Sequence, residues 1–173
     1  MQLETPFGRA WASINDNGAV TAFSLREGNA KDKGHNPEVA RQLDEFFAGK
    51  RRTFDFPLAP KGTDFQKRVW AELMKIPFGE TISYGELAKR VGNPNASRAV
   101  GRANATNPIA LIVPCHRVIG TNGKLTGYAG GLDLKDKLLT WERSLSQNSA
   151  RDTNAANDRF DFSVRPEHEY VCA

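Results

Sequence analysis

Cysteine, histidine and arginine stand side by side in Val113-Pro114-Cys115-His116-Arg117-Val118, where the chain offers its clearest prospect of chemistry. The thiolate is the nucleophilic form of cysteine, and a cationic setting with nearby backbone N–H groups lowers the thiol pKa toward it. Cys115 ends the apolar run Ile109–Val113 and precedes a glycine-rich stretch, an arrangement that presents a nucleophile at a turn. The ordinary alternative is a small core residue, since free cysteine is among the most buried residue types. His116 and Arg117 are poor company for such a residue. His116 reads equally as a base or as a structural histidine. In a strand its side chain would point away from Cys115, so a bridging water would have to connect them. Taken singly, Glu142 reads as a solvent-facing acid and Arg98 and Arg102 as a solvated helix face. Tyr84 and Tyr128 read as partly buried aromatics, and Asn107 before Pro108 as a turn residue.

The chain of 173 residues is 39% hydrophobic and 25% charged, values of an ordinary globular protein of one or two small domains. No apolar run is long enough to span a bilayer, and Met1-Gln2-Leu3-Glu4-Thr5-Pro6 lacks the basic start and apolar stretch of a signal peptide. The expectation is a soluble, cytoplasmic protein. Residues 1–145 carry 21 basic and 15 acidic side chains, a net +6, and the stretch from Ser146 onward carries −2. That balance is compatible with nucleic acid without establishing it. Two cysteines, Cys115 and Cys172, are too few for a disulfide framework, and His35, His116 and His168 lie far apart, so neither a disulfide nor a structural metal is expected.

Three segments position these residues. In the first, to about Pro60, Arg9–Ile14 and Ala19–Leu25 flank Asn15-Asp16-Asn17-Gly18 and predict a β-hairpin. Pro37–Phe47 predicts a helix that ends near Gly49, and Thr53–Leu58 a further strand. In the second, Gly62 to Leu145, Thr63-x-x-Gln66 and Ser83-x-x-Glu86 read as capping boxes. The first opens a helix through Phe65, Val69, Leu73 and Ile76, the second a short helix ending near Gly92. Asn93 as cap and Pro94 at the first helical position predict a third helix of about ten residues through Arg98 and Arg102. Two short helices joined by a Gly-Asn-Pro turn have helix-turn-helix spacing. Ile109–Val113 suits a buried strand or extended segment. Asp133–Leu145 predicts a final helix with Leu134, Leu138, Trp141 and Leu145 as its apolar stripe. The third segment, 146–173, reads as a disordered tail.

Six ordered motifs carry a family resemblance. Ile112–Gly120 resembles the active-site signature of the O6-alkylguanine-DNA alkyltransferases, also called methylated-DNA–protein-cysteine methyltransferases. Pro77–Ala88 resembles the start of that family's helix-turn-helix, and Gly92–Gly101 its recognition helix. Asn104–Pro108, Gly127–Gly131 and Lys137-Leu138-Leu139-x-x-Glu142 match in order and spacing. The likeness is strong over residues 62–145 and loose over 1–60, and is nearest to the constitutive, Ogt-type bacterial members.

The resemblance implies an α+β chain. A small N-terminal α/β domain (1–60), antiparallel sheet plus helix and ribonuclease H-like, precedes a mostly helical DNA-binding and alkyl-acceptor domain (61–145) with a winged-helix-like helix-turn-helix. It implies direct repair of double-stranded DNA containing O6-alkylguanine, and of O4-alkylthymine, by a monomer bound in the minor groove. The alkyl group passes irreversibly to Cys115, once per molecule, after the base is flipped out of the helix. By the same resemblance His116 takes the thiol proton through a water, Glu142 holds His116, and Asn107 braces the turn. Tyr84 rotates the nucleotide and meets guanine N3. Arg98 fills the vacated stack, while Ala96, Ser97, Ala99 and Gly101 allow close approach to DNA. Tyr128 closes over the base, and the Cys115 and Val118 carbonyls accept from its exocyclic amine. Some relatives bind zinc in the N-terminal domain, but this chain has no cysteine there, so neither metal nor cofactor is expected. Ala110 stands where some relatives have proline, a departure that bears on bulky benzyl groups. Other readings of the same residues are a non-catalytic alkyltransferase-like lesion binder, whose relatives replace the cysteine, and a cysteine hydrolase or regulator built on a helix-turn-helix.

Overall fold

A computed structural model describes residues 1–28, 30–31 and 33–149. The architecture is α+β: a three-stranded antiparallel sheet, five α-helices and a two-stranded parallel pair. The predicted hairpin forms from β2 (Gly8–Ile14) and β3 (Val20–Ser24). Asn15 Oδ1 accepts from the backbone N–H of Asn17 and Ala19 (3.1 and 2.9 Å), and Gly18 takes φ +78°. A four-residue edge strand, β1 (Gln2–Thr5), pairs with β2 in addition. It has no long alternating pattern to announce it.

Helix α1 (Pro37–Phe47) starts at the cap Asn36, whose side chain accepts from Glu38 N, and buries Val39, Leu43 and Phe46. The predicted strand over Thr53–Leu58 is not one. Phe54, Phe56 and Leu58 are buried in alternation, but among the described residues the only ladder contact is a single bridge between Val20 and Leu58. Pro57 has no N–H to give, and the Asp55 N–H is taken by the Gln42 side chain at 3.0 Å.

Helix α2 (Asp64–Met74) carries the complete Thr63/Gln66 capping box and buries Val69, Trp70 and Leu73. Ser83 caps α3 (Tyr84–Arg90) through Glu86 N at 3.1 Å, but the box is not reciprocal, because Glu86 reaches Arg90 instead. The next helix begins later than predicted: α4 runs Ser97–Ala105 with no side-chain cap. Asn93 uses its side chain to accept from Asn95 N and its carbonyl to accept from Ala96 N, so residues 93–96 turn rather than wind. Ile109–Val113 is buried as a tight turn, not as a strand. Leu111 takes φ +70°, and among the described residues the segment pairs with the first sheet by a single bridge, Phe23–Ile109. An apolar run dictates burial, not extension.

A 3₁₀ turn (Cys115–Arg117) leads into β5 (Val118–Ile119), which pairs in parallel with β4 (Ile82–Ser83). Helix α5 spans Leu132–Ser149 and so passes the predicted end at Leu145, which makes 146–149 helical. The rest of the predicted disordered tail, with Cys172, lies outside the described residues. Phe46, Phe54, Phe78, Phe7 and Trp141 form one aromatic cluster. Phe46 lies 4.9 Å from Phe54, 5.3 Å from Trp141 and 5.7 Å from Phe78, ring centre to ring centre. The cluster ties the first 60 residues to α5. Phe46→Ala and Trp141→Ala should each cost about 3–5 kcal/mol in denaturant unfolding. Their double mutant should lose less than the sum by at least ~0.5 kcal/mol, because the two rings share one contact.

Candidate functional site

Asn107 builds the approach to Cys115. Its Nδ2 donates to the Val113 carbonyl at 2.8 Å, and its Oδ1 accepts from Ile109 N at 3.0 Å, so one amide holds both sides of the tight turn. The chain then enters the 3₁₀ turn, with Cys115 N donating to the Val113 carbonyl and Arg117 N to the Pro114 carbonyl. Three residues per turn fan the side chains of Cys115, His116 and Arg117 roughly 120° apart. This replaces the expected strand end, in which neighbours would point oppositely.

His116 is fully buried, and its Nε2 lies 2.6 Å from Glu142 Oε1. Glu142, also fully buried, accepts three further hydrogen bonds: from Arg117 Nε (2.9 Å), Arg117 Nη2 (3.0 Å) and the backbone N–H of Gly79 (3.0 Å). Burial pushes the Glu142 carboxyl up, but His116 and Arg117 outweigh it and leave the pKa at about 2. The ionised carboxylate makes Nε2–H the donor of the 2.6 Å bond, so the imidazole lone pair sits on Nδ1. Nδ1 is buried and has no partner among the described residues. Burial also pulls the His116 pKa down, against the opposing pull of Glu142, so the ring is a neutral base.

Arg117 does not serve as the cation that lowers the thiol pKa. Its charge is taken up by Glu142, and its Nη1 donates to the Ile76 carbonyl at 2.8 Å. Burial pushes the Cys115 thiol up, with Asn107 and Lys135 opposing, so at rest the group is a thiol. Lys135 is the cation in reach. It is fully buried on the first turns of α5, and its Nζ donates to the Val118 carbonyl (2.5 Å) and the Thr126 carbonyl (2.7 Å). Burial lowers its pKa to about 8.

The Tyr84 hydroxyl donates to the Thr126 carbonyl at 3.0 Å and so holds the loop that carries Tyr128. Tyr128 packs edge-on to His116, ring centres 6.5 Å apart. Glycines are required in this loop. A Cβ at Gly130 would sit 2.5 Å from the Tyr128 ring, and Gly131 takes φ +90°, which strains any side chain. The structure thus gathers Cys115, His116, Glu142, Asn107, Tyr84, Tyr128 and Val118. The predicted DNA-facing residues lie along α4 and the turn before it, Arg98 and Ala99 exposed and Ala96, Ser97 and Gly101 half-buried, with Gly101 against the Tyr84 ring. Lys135, Asn104 and Gly79 were not singled out in the sequence, and Arg117, expected as part of the thiol's cationic setting, pairs with Glu142 instead. One signal was present: Lys135 and Glu142 are two helical turns apart, on the same face as Leu138.

A family model, 6-O-methylguanine DNA methyltransferase, DNA binding domain, matches residues 64–144. A methylated-DNA–protein-cysteine methyltransferase of Methanosarcina acetivorans is 65% identical over 107 residues, covering 62% of this chain and 69% of that protein. A protein of the same name from Mycobacterium tuberculosis is 57% identical over 113 residues, 65% of this chain and 68% of its own length. The crystal structure of Mycobacterium tuberculosis OGT in complex with DNA superposes with a TM-score of 0.76 at 44% identity, over 83% of this chain and 92% of that one.

Glu142 sets a test by pH. Its folded pKa lies below the unfolded value of 4.5, so its contribution is complete above pH 4.5 and is lost as the pH falls toward about 2. Denaturant unfolding should show an acid loss of about 3 kcal/mol over that window. Glu142→Gln should flatten it and cost about 3–5 kcal/mol at pH 7 by leaving Arg117 buried and unpaired.

Proposed function

The chain belongs to the family of methylated-DNA–protein-cysteine methyltransferases, and from that membership we propose that it repairs DNA directly, by moving an alkyl group from the O6 of guanine to Cys115. The observation that carries the site assignment is the buried Cys115–His116–Glu142 set, with His116 Nε2 on the carboxylate at 2.6 Å and Nδ1 left as the base. In this reading His116 Nδ1 takes the thiol proton through a water. The sulfur then attacks the alkyl carbon in line: the S–C bond forms, the C–O6 bond breaks, and the guanine leaves as its oxyanion form. The ammonium of Lys135 favours the thiolate and Glu142 the imidazolium. Tyr84 donates a hydrogen bond to guanine N3 that stabilises the leaving anion, exchanging its present bond to the Thr126 carbonyl for one to the base. The thioether is stable, so each molecule acts once.

DNA is the partner, as in the DNA complex of the Mycobacterium tuberculosis relative. The finer reading is a monomer in the minor groove, with Arg98 filling the place of the flipped nucleotide and Ala96, Ser97, Ala99 and Gly101 at the backbone. Exposure of Arg98 on the first turn of α4 supports it. Residues 1–60 then form a ribonuclease H-like supporting domain and 61–145 a winged-helix-like acceptor domain. The β1–β3 sheet with α1, and the β4–β5 pair beside α3 and α4, support that division. O4-alkylthymine is the second proposed lesion and the cytoplasm the proposed compartment; among the described residues no helix is long and apolar enough to cross a membrane. The non-catalytic reading loses its basis where Cys115 is present.

Intact-mass spectrometry after incubation with O6-methylguanine duplex should show one added methyl on Cys115 and none on Cys115→Ala. An unchanged mass in the intact protein would falsify the transfer. Arg98→Ala should slow transfer from duplex DNA by about tenfold or more while leaving transfer from the free base within about twofold; equal losses on both would count against its place in the stack.

A further inference from the structure

One buried side chain beside the nucleophile has no part in the reading above. Asn104 lies in the last turn of α4 and is 1% exposed. Its Nδ2 donates to the Cys115 carbonyl at 3.2 Å, which fixes the amide's orientation. Its Oδ1 is buried and has no hydrogen-bond partner among the described residues. A buried amide oxygen without a donor is costly and rare, and calls for a specific reason. Its neighbours narrow the reason. Asn104 acts on the Tyr84 phenol, offsetting part of the upward push of burial. The Tyr84 ring in turn lies against Gly101, one turn back along α4. Asn104 therefore shares a wall with the Cys115 carbonyl and Tyr84, two of the groups assigned above to the flipped base.

The base has a donor to offer. O6-alkylguanine presents an alkoxy group, a ring nitrogen without a proton, and a 2-amino group with two N–H bonds. The Val118 carbonyl already accepts from the Lys135 ammonium at 2.5 Å and the Cys115 carbonyl from Asn104 itself, so each keeps only one lone pair for the amine. Asn104 Oδ1 keeps both lone pairs. O4-alkylthymine carries a carbonyl oxygen where guanine carries the amine, and that oxygen would meet Oδ1 as acceptor against acceptor.

We propose that Asn104 Oδ1 accepts a hydrogen bond from the 2-amino group of the flipped O6-alkylguanine and thereby sets a preference for guanine over thymine lesions. The inference rests on the proposed function and specifies the base it selects. Asn104 makes no contact with the alkyl carbon. It is a specificity residue, and it joins base selection to the helix that carries Arg98.

The test uses the full chain and three duplexes, containing O6-methylguanine, O6-methylhypoxanthine (the same base without the 2-amino group) or O4-methylthymine, with single-turnover methyl transfer to Cys115 as the readout. In the wild type, loss of the 2-amino group should slow transfer about fivefold, the weight of one ordinary hydrogen bond. In Asn104→Leu, which keeps the size and removes the polar atoms, the guanine and hypoxanthine rates should agree within about twofold, and the guanine-to-thymine ratio should fall about fivefold. Equal slowing of all three substrates in the variant would show a structural role only and overturn the proposal. The wild-type comparison needs no variant to fold: equal rates with and without the 2-amino group also overturn it. Absence of transfer from every substrate would overturn the proposed function itself, a result distinct from transfer that ignores the amine.

Discussion

A single ionised carboxylate, sealed from water, organises this half of the molecule. Glu142 receives four hydrogen bonds, from Arg117 twice, His116 and Gly79 N. Burying such a charge is tolerable only when its lone pairs are filled and a counter-charge is close. The requirement decides where α5 docks, which face it presents, and how the turn after Cys115 must wind. The remaining Arg117 nitrogen, Nη1, donates to the Ile76 carbonyl, just past the end of α2. The aromatic ring of Phe78 lies 5.5 Å from that guanidinium and 4.3 Å from Arg52, so the first 60 residues reach the same charge centre through one ring.

Because the carboxylate is ionised, the histidine beside it is fixed as one tautomer. Because the histidine is buried, it stays neutral and keeps a lone pair. Burial also holds the thiol protonated at rest. The proposed acceptor is thus a quiet group with a base beside it rather than a standing thiolate. A permanently ionised, exposed thiolate would be open to oxidation and to the wrong electrophiles. A thiol that ionises only as its proton passes to a held base keeps its single use for the base that reaches it.

Local chemistry was legible in the sequence wherever a turn or cap is specified by adjacent residues. Asn15–Gly18 announced the hairpin, and Thr63 with Gln66 announced α2. The reading failed where a tertiary partner overruled a local pattern. The Thr53–Leu58 alternation is real in its burial, but the backbone found the Gln42 side chain in place of a neighbouring strand. Asn93 could cap a helix or close a turn, and the turn won. At the site, residue types and order pointed to Cys115, His116 and Glu142 through the family resemblance. The carboxylate's other donors were hidden because they come from afar: Gly79 is 63 positions from Glu142. Asn104 was hidden for another reason, since nothing in the pattern around it separates an ordinary helix amide from one whose oxygen is left without a donor.

The distance in sequence between Cys115 and the helix that completes its surroundings has a consequence during synthesis. The cysteine is made before residues 132–149, which supply Lys135 and Glu142. Until α5 docks, His116 has no carboxylate to fix its tautomer, and the thiol has neither the nearby ammonium nor the wall that buries it. A growing chain therefore carries an ordinary cysteine of ordinary reactivity. In the proposed reaction its activation arrives with α5, at the same moment as the packing of Trp141 into the aromatic cluster. Docking of α5 and arming of the proposed acceptor are then one event.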